Sequence, residues 1–411
     1  MKRKKSKELR IAFWALMTAF AFLFVIGTVN VYSSTFVEEI GTGNTFGYLG
    51  RQAFLVFIGL FPGFFVYCRD YHWWSRHAGK LAVLTIILLL AVFAGGTVVN
   101  GARRWIGIGG VTFQPSELAK LTVIVCTATA ITNKLSRRRA IEFLRPLHRE
   151  RRKKGRARAA VLPTEELWLP ILLSALVFKQ PDAGTAGVIF LLPAMMLWAS
   201  GAKLSQAKYP LLIAGVAGVI LLLSAPYRMD RITAWLDPWS YEKTLGYQTV
   251  QGLIAIGSGG FFGQGLGEGI SKFSYLPEAH TDFAFAVFAQ EWGFIGALGI
   301  LFLFGLIIYY GCYSACHSRD TFGTLLALGV TFYFGGQGFI NIGMVSGMLP
   351  VVGVPLPFIS YGGTSLIVNM TAAALLLNIC RDGYRHAEQQ ERYGTVAAPK
   401  PMRQQLKLPA R

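Results

Sequence analysis

Long apolar stretches alternate with short polar segments along almost the whole chain of 411 residues. A helix needs about 20 apolar residues to cross the hydrocarbon core of a bilayer, and ten stretches approach that length. They span residues 11–33, 51–67, 80–98, 118–133, 167–179, 184–200, 208–225, 283–313, 322–345 and 364–380. The fifth and sixth are short, and the eighth is long enough to be tilted. This pattern predicts an all-α polytopic membrane protein with about ten transmembrane helices.

The composition supports a membrane protein. Apolar residues make up 53% of the chain and charged residues 15%, against about 25% charged residues in ordinary globular proteins. Too little polar surface is available to cover a soluble body, which excludes a soluble enzyme and a disordered basic protein. The five cysteines have no regular spacing and predict no disulfide framework. Cys312, Cys316 and His317 lie close together, but a zinc site needs four ligands and no second cluster occurs.

The distribution of basic residues orients the chain, whose net charge is +19. The first span follows six basic residues and lacks an A-x-A cleavage site, so it resembles an uncleaved signal anchor. With ten spans and the positive-inside rule, both termini are cytoplasmic and 31 of the 40 basic residues lie on cytoplasmic segments. The predicted organisation is a basic cytoplasmic tail (residues 1–10), one transmembrane domain (11–384) and a disordered cytoplasmic tail (385–411).

Two large loops interrupt this transmembrane domain. Residues 134–166 form a basic cytoplasmic loop, and residues 226–282 form a large external loop between the seventh and eighth helices. A topology determinant resting on anionic lipid is the favoured interpretation of the basic loop, and a docking site for a cytoplasmic partner is the alternative. Nucleic-acid binding is disfavoured because no aromatic residues alternate with the charges.

Polar residues at membrane level concentrate on the predicted external face, where such groups indicate functional sites. The first polar segment, residues 100–120, contains Arg103, Arg104 and Lys120. Arginine offers a bidentate fork that suits phosphate, and lysine offers a point charge. Glu117 is equally well interpreted as a charge at a helix N-terminus, and Trp105 as an anchor at the membrane interface.

The second polar segment is residues 180–186, the third is the external loop of residues 226–282, and both contain acidic residues. Asp182 is best interpreted as a helix cap. The external loop carries a glycine-rich run at residues 257–269, which is either a flexible loop or a backbone nest for an anion. Asp282 follows this run, directly before apolar residues. A carboxylate at such an edge can acquire the raised pKa that a general base requires, with a helix N-cap as the structural alternative.

The fourth polar segment, residues 347–365, is rich in proline and glycine and predicts a broken helix. Irregular backbone at membrane depth is tolerated where it is buried in protein or lines a cavity. We therefore expect an outward-facing cavity that contains fixed cations and a candidate acid. Such a cavity suits a transporter or an enzyme that acts on a lipid-linked anionic substrate.

The dispersed motifs resemble the SEDS family (shape, elongation, division and sporulation) from the first span to the last. The resemblance is carried by residues 101–106, 114–120, 180–186, 236–239, 255–260, 275–283 and 350–365. Residues 101–105 and 271–282 resemble the FtsW-type division branch most closely, whereas residues 341–347 and 350–355 are more similar to the RodA-type elongation branch. Two positions depart from the family pattern. Gln290 precedes Glu291 where the family usually has two acids, and Gly252 stands where serine is usual. If the first of the two acids handles a metal or a proton in the family, Gln290 puts that role in doubt here.

The resemblance implies a peptidoglycan glycosyltransferase that polymerises lipid II outside the cytoplasmic membrane, at the division septum for the FtsW type. It implies Asp282 as the catalytic acid. Partners would be a class B penicillin-binding protein, other divisome proteins and membrane lipids, and a divalent cation such as Mg²⁺ or Mn²⁺ is a possible cofactor. The predicted substrate-binding residues are Arg103, Arg104, Trp105, Glu117, Lys120, His280, Thr281, Ser360, Gly362 and Gly363.

The mechanistic hypothesis assigns Asp282 as the base that takes a proton from the acceptor 4-hydroxyl, while the cations stabilise the leaving pyrophosphate. A RodA-like elongation polymerase is the nearest alternative to a division enzyme. A lipid II flippase with Asp282 as a proton relay is the rival from another class. An alternating-access site is expected near the membrane midplane, whereas these motifs lie at the external face. A structural division scaffold would leave the external cations unexplained.

Overall fold

The computed structural model describes residues 2–42, 47–99, 102–108, 111–144, 165–201, 226–273 and 276–393. Most of them are helical, as the apolar pattern predicts. The helices are α1 (Lys2–Thr42), α2 (Gly47–Cys68), α3 (His72–Gly95), α4 (Pro115–Leu144), α5 (Trp168–Lys179), α6 (Ala183–Ala199), α7 (Pro226–Leu236), α8 (Tyr247–Ser258), α9 (Ala284–Cys316), α10 (Thr321–Val345) and α11 (Gly363–Tyr393).

Seven of the helices in the described segments are long and apolar enough to cross a membrane: α1, α2, α3, α4, α9, α10 and α11. The shorter apolar helices α5 and α6 follow each other and coincide with the fifth and sixth predicted spans. The mostly helical membrane architecture is thereby confirmed, whereas the count of ten spans stays a prediction. The seventh predicted span, residues 208–225, lies outside the described residues, as do residues 145–164 of the basic loop and residues 394–411 of the tail.

Helix α11 extends beyond the span that its hydropathy predicts. It continues to Tyr393, into the segment expected to be a disordered tail. Its last turns are held by the first turns of α1, because the Ser6 hydroxyl donates to Glu391 at 2.7 Å. A helix that leaves the membrane therefore gains polar contacts that a hydropathy pattern does not register.

The core lies where α1 packs against α2, α9 and α11. Helix α1 buries Leu9, Leu16 and Leu23 at regular spacing, as expected for a helix with one apolar stripe facing protein. On α2, Phe57, Phe61 and other large apolar side chains are exposed. Exposed aromatic residues on a helix of this hydropathy indicate a surface that faces lipid.

A three-stranded antiparallel sheet joins α3 to α4. Its strands are β1 (Thr97–Val99), β2 (Ala102–Ile108) and β3 (Val111–Phe113). Thr97 pairs with Trp105, and Ile106 pairs with Phe113. The hydropathy pattern does not predict these strands. They place Arg103 in the ladder opposite Val98 and Arg104 at a β-bulge between Arg103 and Trp105, instead of leaving both residues in a loop.

The glycine-rich run packs against a break in α9. Gly293 has φ +65° inside α9 and interrupts its hydrogen-bond ladder. The run supplies the missing partners: the amides of Gln264 and Gly265 donate to the carbonyls of Gln290 and Glu291 at 3.0 and 3.1 Å. The Phe294 amide donates to the Gly260 carbonyl at 2.9 Å. The predicted external loop thus contains α7, α8 and a segment that completes the broken helix.

Candidate active site at one end of the helix bundle

The four polar segments meet at one end of the helix bundle, opposite the end where Ser6 of α1 contacts Glu391 of α11. The Gln114 amide of the first segment donates to the Thr364 hydroxyl of the fourth at 2.9 Å. Its side-chain amide donates to Asp182 of the second segment at 3.3 Å. The Tyr361 amide donates to the His280 carbonyl at 2.8 Å and joins the fourth segment to the third. The sequence analysis predicted a common face, and these contacts place the four segments together.

Asp282 lies in this cluster, two residues before α9 begins. Burial raises the pKa of its carboxyl group to about 7, and the negative charges of Glu278, Asp182 and Glu117 act in the same direction. The positive charge of Arg104 partly opposes them. A carboxyl group with a pKa near neutrality can both accept and release a proton at physiological pH, as a general base requires.

The backbone around Asp282 is held by Asn341 of α10. The Asn341 side-chain amide donates to the carbonyl of Asp282 at 2.8 Å and to the carbonyl of Val354 at 2.7 Å. Asn341 is fully buried, and breaking one of these bonds would leave a polar group unpaired in an apolar environment. The Asn341 side chain therefore connects the third polar segment to the irregular fourth segment, which follows α10.

The irregular backbone of the fourth segment packs closely against Asp282 and against α6, and a glycine lies at each of these contacts. Gly353 has φ +68°, and a Cβ on it would lie 3.2 Å from Oδ2 of Asp282. Gly184 in the first turn of α6 packs so closely that a Cβ would lie 2.1 Å from the Val352 carbonyl oxygen. Asp182 caps α6 by accepting from the Thr185 amide at 3.1 Å, which confirms the capping role predicted for it.

Arg104 and Arg103 project from neighbouring positions of β2. The half-buried Arg104 donates to the carbonyls of Gln180 and Pro181, so its guanidinium is held beside the second segment. Arg103 is exposed, and Trp105 is half-buried. The register shift in the pairing of β1 with β2 leaves Arg104 as the extra residue of a β-bulge.

Glu117 and Lys120 form a buried ion pair on the first turns of α4. The Lys120 ammonium lies 2.7 Å from the Glu117 carboxylate, and both side chains are almost inaccessible. Lys120 also donates to Gln337 of α10 at 3.0 Å, and Gln337 donates to the Pro355 carbonyl at 2.8 Å. This chain of contacts links the first polar segment to the fourth through α10. Lys120 is therefore too buried to contact the pyrophosphate of a substrate directly.

The remaining predicted site residues line the contact between the third and fourth segments. The Thr281 hydroxyl donates to the Glu278 carboxylate at 2.6 Å, and the Ser360 hydroxyl accepts from the Leu356 amide at 2.9 Å. Gly362 precedes α11, and Gly363 is its first residue. His280 lies in an aromatic cluster with Tyr48 and Tyr361, whose ring centroids are 5.7 and 5.9 Å from its own.

Sequence reasoning missed several side chains that organise this end of the bundle. Asn341 and Gln337 are single polar residues inside apolar α10, and such intramembrane polar residues are a recognisable signal for function or packing. A second buried ion pair joins Lys272 to Glu291 at 3.0 Å, and both side chains are almost fully buried. Lys272 also donates to Ser33 of α1 at 3.2 Å, so a residue of the predicted external loop is part of the protein interior.

The site contains several carboxylates, a ligand type that divalent cations prefer. No group of three or more His, Cys, Asp or Glu side chains in the described segments is arranged to hold a metal ion. Two of the carboxylates have other partners: Glu117 pairs with Lys120, and Asp182 accepts from a backbone amide. The described residues do not fit a divalent cation, and we derive no step through one.

Comparison with known proteins identifies related chains over almost the full length. The family that groups FtsW, RodA and SpoVE, described as cell cycle protein, matches residues 14–385. Stage V sporulation protein E of Bacillus subtilis is 36% identical over 385 residues, covering 92% of this chain and 98% of its own. The probable peptidoglycan glycosyltransferase FtsW of Tolumonas auensis is 39% identical over 359 residues, covering 86% and 88%.

Solved structures show the same architecture. A chain of a peptidoglycan synthase complex, described for its coordination of polymerization and crosslinking, aligns with a TM-score of 0.67 at 27% identity. The alignment covers 90% of this chain and 98% of that one. The rod shape determining protein RodA of Thermus thermophilus aligns with a TM-score of 0.63 at 27% identity, covering 90% and 97%.

Proposed function

Because the chain belongs to the cell cycle protein family of FtsW, RodA and SpoVE, we propose that it is a peptidoglycan glycosyltransferase. It polymerises lipid II into glycan strands at the outer face of the cytoplasmic membrane. The protein is an integral membrane protein with at least seven helices that can span a bilayer in its described part. Relatives that are named probable peptidoglycan glycosyltransferase FtsW support both the activity and a role in cell division.

The observation that carries the proposal is Asp282, a carboxyl group with a pKa of about 7 at the meeting point of four polar segments. In the proposed reaction its carboxylate takes the proton of the acceptor GlcNAc 4-hydroxyl. The oxygen forms a bond to the anomeric carbon of the donor MurNAc, and the bond from that carbon to the pyrophosphate oxygen breaks with inversion. One positioned base contributes roughly 10²–10⁴ in rate.

Undecaprenyl pyrophosphate leaves with a growing negative charge, and this charge requires a fixed cation. Arg104 is the best candidate because its charge already acts on Asp282 and its guanidinium is held by two backbone carbonyls. Arg103 is exposed on the same strand and can contribute to substrate capture. The buried Lys120 acts in this proposal by holding Glu117 and Gln337 in place.

The proposed partner is a class B penicillin-binding protein that crosslinks the product, in agreement with a structural relative that belongs to a peptidoglycan synthase complex. Location at the division septum and association with other divisome proteins follow from the FtsW-type resemblance. The elongation role of RodA is the nearest alternative, and the depletion phenotype separates the two. Filamentous cells indicate division, and rounded cells indicate elongation.

The decisive experiment incubates labelled lipid II with the purified protein and its cognate penicillin-binding protein, and resolves the products on a gel. We expect a ladder of long glycans for the wild type and none for Asp282→Asn. Asp230→Asn serves as the matched control, because Asp230 is an exposed carboxylate on α7. Translocation of lipid II without any polymer would favour the flippase. Polymerisation by Asp282→Asn at the wild-type rate would refute the assignment of the base.

A further inference from the structure

A cavity of about 680 Å³ lies at the opposite end of the bundle from Asp282, between the beginning of α1 and the end of α11. Its polar lining residues include Lys7, Arg10 and Arg392, together with two acidic residues of α11. Its aromatic lining residues are Phe13, Trp14 and Tyr384. The cavity lies next to both ends of the transmembrane domain, which the distribution of basic residues assigns to the cytoplasm.

The charges of this cavity leave two cations available. Arg392 pairs with Glu388 at 3.1 Å. Glu391 accepts hydrogen bonds from the amide and the hydroxyl of Ser6 at 3.3 and 2.7 Å. Lys7 and Arg10 are exposed and have no ion pair among the described residues. The lining therefore carries one more positive than negative charge, which matches a ligand with one negative charge.

The surface that continues from the cavity is apolar. Ile11, Trp14, Phe22 and Val25 share one face of α1, and each is about half exposed, from 49% to 60%. A tryptophan at the start of such a face is typical of the membrane interface. A ligand in this cavity can therefore place an anionic group against Lys7 and Arg10 and an apolar chain along α1.

We propose that the cavity binds the phosphate group of an anionic phospholipid of the cytoplasmic leaflet, with the lipid chains along the exposed face of α1. Basic pockets between transmembrane helices on the cytoplasmic side bind phosphate-bearing head groups by the same physical principle. The bound lipid bridges the first and last helices of the domain, next to the contact between Ser6 and Glu391. This inference does not depend on the glycosyltransferase reaction.

Native mass spectrometry of the full-length protein tests the proposal with equal amounts of phosphatidylglycerol and phosphatidylcholine of identical acyl chains. We expect the wild type to retain phosphatidylglycerol in preference. The variant Lys7→Gln with Arg10→Gln should lose this preference by roughly tenfold or more, since each cation near the membrane surface contributes severalfold in affinity. Arg76→Gln with Lys80→Gln is the matched control, because both are exposed cations at the cytoplasmic end of α3.

A gain-of-binding variant keeps the test informative if the double variant folds poorly. Glu391→Gln removes one negative charge from the lining and retains an acceptor for Ser6, so it should strengthen phosphatidylglycerol binding. Equal binding by the double variant and the wild type would overturn the proposal, as would an equal loss in the Arg76 and Lys80 control. Displacement of the lipid by glycerol phosphate at equal concentration would show that a soluble phosphate is the ligand and would overturn the lipid assignment.

Discussion

Oδ2 of Asp282 lies against the backbone of Gly353, so closely that a Cβ at Gly353 would be 3.2 Å from it. Gly353 has φ +68°, a conformation in which a side chain is strained. The irregular segment between α10 and α11 therefore approaches the proposed base with backbone alone. A close backbone approach of this kind is a position where glycine has a physical advantage over every other residue.

The variant Gly353→Ala should reduce glycan synthesis at least tenfold, because the new methyl group must displace the Asp282 carboxylate or the segment that carries it. The left-handed backbone adds a stability cost of about 1–2 kcal/mol. Polymerisation of labelled lipid II measures the first effect and thermal unfolding in detergent the second. Gly201→Ala is the control, because Gly201 has φ +77° and nothing within 4 Å of its would-be Cβ. Equal activity losses in both variants would contradict the contact with Asp282.

The pH dependence of glycan synthesis should report the ionisation of Asp282. Its pKa of about 7 predicts that kcat/KM rises roughly tenfold per pH unit below neutrality and levels off above it. Arg104→Gln should move the midpoint upward, because Arg104 lowers this pKa. Glu278→Gln should move it downward, because the Glu278 charge raises this pKa and glutamine still accepts from Thr281. Identical midpoints in the wild type and both variants would exclude Asp282 as the titrating group.

The same group should make stability depend on pH. The native state keeps the proton of Asp282 up to about pH 7, whereas the unfolded chain loses it near the ordinary value of 3.8. Between these values the native state binds more protons, so this group's contribution to the free energy of unfolding falls as pH rises. Asp282→Asn should flatten that part of the profile. Thermal unfolding between pH 4 and pH 8 measures the difference, and an unchanged slope would contradict the buried position of the carboxyl group.

The hydropathy pattern predicts the positions of the helices, because a bilayer requires long apolar segments wherever the chain crosses it. Nine of the ten predicted spans coincide with helices. The role of Asp282 as the base, which rests on its position between a polar loop and an apolar run and on the family resemblance, stays a prediction. The hydropathy pattern does not show which charged side chains form ion pairs in the folded protein. Lys120 and Lys272 lie in segments that are predicted to be external, but each is buried against a glutamate on a neighbouring turn or helix. A sequence shows the charge of a residue but not the partner that neutralises it.

The short sheet and the broken helix α9 were missed for related reasons. Strands β1 and β3 have three residues each, too few for an alternating pattern to stand out. The break at Gly293 depends on hydrogen bonds from a segment about 30 residues earlier in the chain. Glycines in that segment indicated unusual backbone, but only the fold shows that they fill a gap in another helix.

The buried ion pair of Glu117 and Lys120 should contribute to the stability of the folded protein because each charge neutralises the other. Lys120→Met would leave the Glu117 carboxylate buried without a partner, and such a change costs about 3–5 kcal/mol. The double variant Glu117→Gln with Lys120→Met removes both charges and should recover most of that loss. Thermal unfolding in detergent compares the three proteins. If the double variant were as unstable as Lys120→Met alone, the pair would not account for the stability of this region.

Docking of the glycine-rich run into α9 can be tested with two glycines of almost equal backbone conformation. Gly263 has φ +85° and Gly267 has φ +86°, so an alanine suffers the same strain at either position. At Gly263 a Cβ would lie 2.1 Å from the Glu291 carbonyl oxygen, whereas at Gly267 nothing lies within 4 Å. Gly263→Ala should therefore detach the run and expose the Gln290 and Glu291 carbonyls.

The expected loss for Gly267→Ala is the backbone strain alone, about 1–2 kcal/mol. Gly263→Ala should cost more, because each buried carbonyl left unpaired adds about 1–3 kcal/mol. It should also lower glycan synthesis, since the first turns of α9 follow Asp282 directly. Hydrogen exchange of the Phe294 amide, which donates to Gly260 at 2.9 Å, should accelerate in Gly263→Ala only. Equal exchange rates in the two variants would show that the run does not hold the broken helix together.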